Sequence, residues 1–215
     1  MSDSEIFREV EEALKEDRAK ALWKKYGTLV VAAAVVVILA VGGYVLWQNY
    51  SRAQVERGGA ELIAALSIAQ EDESAGIEAL SSYAQETGGD LAAMARLNSA
   101  ALMANSGDLE GAVAGYRAVA SDSNISAIWT DLAVYLAVLH SIDTANPAEL
   151  ADELLPLTAA DNPWRHSARE LTALLAIRQG DNAEALQIYE DLRDDNTVPP
   201  GLRDRASSMA ALLAE

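Results

Sequence analysis

Gly107-Asp108-Leu109-Glu110-Gly111-Ala112-Val113-Ala114-Gly115-Tyr116 and Gly180-Asp181-Asn182-Ala183-Glu184-Ala185-Leu186-Gln187-Ile188-Tyr189 share one pattern, G-D-x-x-x-A-x-x-x-Y. Each position in it has a physical job. The glycine ends a helix in a backbone conformation that is costly for other residues. The alanine lets the following helix come close to the preceding one, and the tyrosine four residues on, along the same helix face, fills the groove toward the next unit. Gly107, Ala112 and Tyr116, with Gly180, Ala185 and Tyr189, are therefore expected to serve packing rather than ligand contact. The two segments start 73 residues apart, close to twice a helix-turn-helix period of about 34 residues.

That period is the one found in tetratricopeptide repeats. Between the two segments, Trp129 to Ile142 and Pro147 to Leu157 supply another helix pair with Asn146-Pro147 at its turn, and Gly59 to Gln70 with Ala75 to Glu86 supply a fainter pair ahead. The middle pair lacks the glycine and tyrosine of its neighbours. Four pairs then occupy residues 51–194, and the linker Asn196-Thr197-Val198-Pro199-Pro200-Gly201 leads to a final helix over Leu202 to Ala214. Arg203, Asp204 and Arg205 bring charge to that helix, as an end cap without a further neighbour requires. Gly58-Gly59 would favour a kink or hinge in the first helix. Runs of alternating β-branched residues are missing after residue 50, so the expected fold is all-α: a tetratricopeptide-like α-solenoid of about four helix pairs plus a C-terminal capping helix.

Upstream, Thr28 to Trp47 is a run of 20 residues without a charge, and about 20 apolar residues suffice for a helix to cross a bilayer core of about 30 Å. A single N-terminal transmembrane helix is expected at 28–47. Trp23, Lys24, Lys25 and Tyr26 on one side and Trp47 on the other read as membrane-interface anchors. The run exceeds the roughly 7–15 apolar residues of a cleaved signal peptide, and no clean cleavage site follows Trp47. Six lysines and arginines precede the run, only Arg52 and Arg57 follow within a comparable stretch, and no lysine occurs after Lys25. By the positive-inside rule residues 1–27, which open with Ser2 and Glu5 at capping-box spacing, form a cytoplasmic helix, and residues 48–215 lie across the membrane.

The formal net charge is −17, and the part beyond the apolar run holds ten arginines against 26 carboxylates, or −16. Such a surface repels phosphate backbones and anionic headgroups, which argues against nucleic acid or a second, peripheral membrane contact there and fits solubility or a basic partner. With neither cysteine in the chain nor lysine beyond Lys25, thiol and Schiff-base mechanisms are excluded there. The histidines are His140 and His166. His166 and Glu170, four apart, read as an ordinary surface pair rather than two metal ligands. Glu71-Asp72-Glu73 and Asp191, Asp194 and Asp195 read as solvated loops, and Gly88-Gly89-Asp90 as a helix end followed by the next helix's cap. No catalytic, cofactor, metal or small-molecule site is expected.

The opening Ile6-Phe7-Arg8-Glu9-Val10-Glu11-Glu12, then Leu22-Trp23-Lys24-Lys25-Tyr26-Gly27, one span and degenerate repeats resemble the ancillary SecYEG translocon subunit family, YfgM-like, in its alphaproteobacterial form. The resemblance implies an inner-membrane protein with a periplasmic repeat domain, near Sec translocon subunits and a periplasmic membrane-anchored chaperone. It carries no catalytic residues. The expected function is a scaffold or chaperone-network protein that binds partners or emerging exported chains. The alternative is a cell-envelope assembly or division scaffold that tethers envelope proteins without handling clients.

Overall fold

The computed structural model describes residues 41, 43, 44, 47, 48 and 56–215. The expected cytoplasmic helix at 1–27, including Trp23, Lys24, Lys25 and Tyr26, lies outside the described residues, as does most of the expected span at 28–47. Among the described residues no helix is long and apolar enough to cross a membrane. One compact unit, Gly58–Glu215, carries the fold.

Every regular element among the described residues is helical. Helical residues 56–71 (α1) are followed by α2 (Glu73–Glu86), α3 (Gly89–Asn105), α4 (Leu109–Ala120) and α5 (Ala127–Ser141). Then come α6 (Pro147–Leu154), extended by the 3-10 turn Leu155–Thr158, and α7 (Arg165–Gln179), α8 (Asn182–Asp194) and α9 (Pro200–Leu213). These are the four expected pairs and a last helix.

The turns explain the breaks. Asp72, Asp108 and Asp181 each stand before a helix and accept the backbone N–H three residues on, from Ala75, Gly111 and Glu184, at 3.0, 2.9 and 2.9 Å. That bond satisfies one of the donors left open at a helix start. Gly107 and Gly180 hold φ of +92° and +80°, the left-handed conformation that ends α3 and α7. In the middle pair Asn146 caps Ala148 N–H at 3.0 Å and Pro147 opens α6, a start that does not need the missing glycine. At 88–90 the N-cap is Gly88, while the Asp90 carboxylate leaves its own helix end and accepts the Ser126 N–H and hydroxyl at 2.9 and 2.8 Å.

Packing is sequential. Each helix rests on its neighbours in the chain, and α3 touches α5 as α5 touches α7, with no comparable contact between successive even helices. Helices α3, α5 and α7 therefore form the inner layer, and α9 joins it through the Arg205–Glu170 pair. Apolar burial falls into four groups: Leu62, Leu80 and Ala95 join α1 to α3; Ala93, Tyr116 and Ala133 join α3 to α5; Val138, Leu154 and Leu171 join α5 to α7; Ala173, Tyr189 and Leu202 join α7 to α9. Many members are alanines with no exposed surface, among them Ala93, Ala112, Ala133, Ala137 and Ala168, so backbones come close and small volume changes are felt.

Polar links between units keep the same period. Ser126 to Asp90 and Arg117 to Glu153 each span 36 residues, and Arg205 to Glu170 spans 35. Arg178 donates to the carbonyls of Ile142, Asp143 and Ala145 in the turn after α5, closing the next junction. A bond that recurs at one repeat length ties each position to its counterpart in the next unit, which is the signature of a solenoid.

Gly58 and Gly59 are both helical, and the residues just before 56, on which the expected kink or hinge also depends, lie outside the described residues. Gly58 is a site of close approach: its carbonyl accepts the Tyr83 hydroxyl at 2.8 Å, and a Cβ there would stand 2.8 Å from Leu91 Cδ1. Asp204, Arg205, Ser207 and Ser208 are exposed on α9, so this last helix does carry polar residues in the open.

Two glycines with opposite surroundings test this packing. A Cβ on Gly76 in α2 would fall on the Cα and Cβ of Ala69, whereas one on Gly201 in α9 meets nothing within 4 Å. Gly76→Ala should destabilise by about 1–3 kcal/mol through overpacking. Gly201→Ala should stabilise by about 0.4–1 kcal/mol through the unfolded state. Thermal melts followed by circular dichroism, moving in opposite directions for the two variants, check both.

Candidate protein-binding surface

The alanines and tyrosines of the repeated pattern lie inside the stack, while its glycines and aspartates sit at exposed turns. Ala112 and Ala185 have no exposed surface, and Tyr116 and Tyr189 have 1%. Tyr116 stacks on His140 of α5 with ring centroids 5.4 Å apart, and burial raises its phenol pKa. Tyr189 is pushed up to about 12, first by burial and then by the Glu170 carboxylate. Both tyrosines brace junctions. Of the expected membrane anchors only Trp47 is described; it is helical and 67% exposed.

The inner layer carries a second set of side chains at the repeat spacing. Tyr135 on α5, Glu170 on α7 and Arg205 on α9 follow one another at intervals of 35 residues, and so do Leu139, Leu174 and Met209. The Arg205 guanidinium grips Glu170 through two bonds of 2.8 Å. Tyr135 feels both charges: burial raises its pKa, the Glu170 charge adds to that, and Arg205 opposes it. The ring of Tyr135 stacks on Trp164 at 6.0 Å. Between α7 and α9 this row borders a groove of about 450 Å³ lined by Leu174, Tyr189, Ser208 and Met209 beside the Glu170–Arg205 pair. Asp204 also lines it, and an open, largely apolar groove of this kind suits a peptide side chain better than a reacting substrate.

Reading the chain in rows of 35 residues exposes these positions, and a search for glycine-based patterns does not.

His166 and Glu170 do not form the surface pair expected from their spacing. His166 is 7% exposed, and Glu170 is turned to Arg205. The Thr197 hydroxyl donates to Asp195 at 2.7 Å, so its oxygen accepts from His166 Nε2 at 3.3 Å. His166 Nδ1, buried, then has no partner. Burial, reinforced by the Arg165 charge, lowers its pKa and keeps the imidazole neutral while it clamps the linker before α9. The acidic clusters are also engaged. Asp72 caps α2, Asp191 meets Arg169, Asp194 pairs with Arg193, and Asp195 accepts from Thr197. Among the described residues no group of three or more carboxylate, imidazole or thiol side chains could hold a metal.

A profile of the tetratricopeptide repeat-like domain matches residues 20–197. The chain belongs to that family. No curated protein and no solved structure gave a significant match. Tetratricopeptide-like domains commonly bind protein partners, and the inner strip is a surface of the kind such binding uses.

Tyrosine ionisation provides a test of the junctions. A phenol raised from 10.0 to about 12 stabilises the fold fully below pH 10, and that contribution is lost as the pH rises through the folded value. Helicity followed against pH should fall between about 10 and about 12. Tyr189→Phe, which keeps the ring and removes the proton, should carry the loss to higher pH.

Proposed function

We propose that this chain is a membrane-anchored scaffold of the cell envelope, with its N-terminus in the cytoplasm and its repeats in the periplasm, that binds proteins at the Sec translocon. Its partners are translocon subunits and a periplasmic membrane-anchored chaperone, and emerging exported chains are its clients. It works by binding and not by catalysis.

The repeat stack carries this reading: nine described helices build a surface on which Tyr116, Tyr189 and His166 serve packing and Asp72, Asp108 and Asp181 serve capping. Two features of the sequence support the membrane part. The family match begins at residue 20 and so takes in the apolar run Thr28 to Trp47, and lysine is confined to the side before it.

Crosslinking in native membranes followed by mass spectrometry should enrich translocon subunits and periplasmic folding factors over abundant bystanders; equal recovery of both groups would remove the translocon assignment. Topology has its own test, because the chain has no cysteine. Single cysteines at Ser4 and at the exposed Ser74 are treated with a membrane-impermeant maleimide in intact spheroplasts. Labelling is expected at position 74 and not at position 4, and the reverse pattern would put the repeats in the cytoplasm.

A further inference from the structure

A second cleft of the described unit lies outside the inner strip. It measures about 700 Å³ and is bounded by α4 through Leu109, Glu110 and Val113, by the end of α5, and by Thr144 and Ala145 in the α5–α6 turn. Arg117 reaches Glu153, 36 residues on, and at the same spacing Leu109 stands opposite Ala145, in the turn before α6 begins at Pro147. Here Leu109 is left 46% exposed.

We propose that this cleft docks an amphipathic helical segment of another protein, whose bulky apolar side chain enters against Leu109 and Val113 while an adjacent lysine or arginine meets Glu110. Charge selects this occupant. Arg117, the basic residue lining the cleft, is held by Glu153 at 2.9 Å, whereas Glu110 pairs with no cation among the described residues. The domain around it carries the −16 surplus beyond the apolar run. A basic segment is drawn in and an acidic one, including a second copy of this domain, is repelled. The site also has a firm wall, because His140 is stacked flat on the buried Tyr116. The proposal rests on the reading of the chain as a protein-binding scaffold and assigns that binding a surface and a partner chemistry.

The full chain, held in nanodiscs of uncharged phosphatidylcholine, is given Thr144→Cys and an environment-sensitive fluorophore. A second preparation carries the same label at Ser208→Cys on the inner strip. The probe is a synthetic 14-residue leucine/lysine amphipathic helix, with a scrambled peptide of equal composition and a leucine/glutamate version as controls. A saturable blue shift is expected at Thr144 with the leucine/lysine helix alone, and silence at Ser208. Leu109→Ser and Glu110→Lys should each weaken the response about tenfold with helicity unchanged. Equal response to the scrambled peptide, or undiminished response in both variants, overturns the proposal. So does a shift at Thr144 that grows with protein concentration in the absence of peptide, which would make a second copy the occupant. A response confined to Ser208 overturns it while leaving the scaffold reading intact.

Discussion

A helix pair in this chain cannot bury its own apolar stripe; only the next pair does that. Each of the four buried groups bridges a junction, with Tyr116 reaching from α4 toward α5 and Tyr189 from α8 toward α7 and α9. Close approach is possible because alanine stands where the backbones meet, at Ala112, Ala133, Ala137 and Ala185. The polar links between units follow from this arrangement, since stacked units place every residue beside its counterpart about one repeat away. The fold is thus held by repetition of one local arrangement rather than by a single centre.

Legibility in the sequence tracked that repetition. Where glycine, aspartate, alanine and tyrosine recur in order, local turn chemistry and junction packing coincide, and the helix pairs could be read with their caps. The middle pair was found from its apolar stretches and Asn146-Pro147, but its short α6 and the gap beside α4 needed three dimensions. The alignment of Tyr135, Glu170 and Arg205 in one row escaped notice because chemically different residues share those equivalent positions and leave no motif. His166 was misplaced on the surface for a related reason. Its partner Thr197 lies in a linker 31 residues away, and spacing along one helix says nothing about a loop that folds back over it.

The two surfaces differ in how their charges are handled. On the inner strip Arg205 neutralises Glu170 beside the apolar Leu174 and Met209, with Asp204 also lining the groove. Beside α4 the basic side chain is the one already taken, so the carboxylate faces outward. One stack therefore presents two chemically distinct faces, one beside the Arg205–Glu170 pair and one beside α4 and the α5–α6 turn.

Because the buried groups are four and each belongs to one junction, mechanical load on this domain is shared in series. Tension between its ends would peel off one module at a time, paying out slack in increments while the rest of the stack keeps its shape. Such a chain behaves as an extensible strap, yielding by degrees where a domain with one core would give way at once.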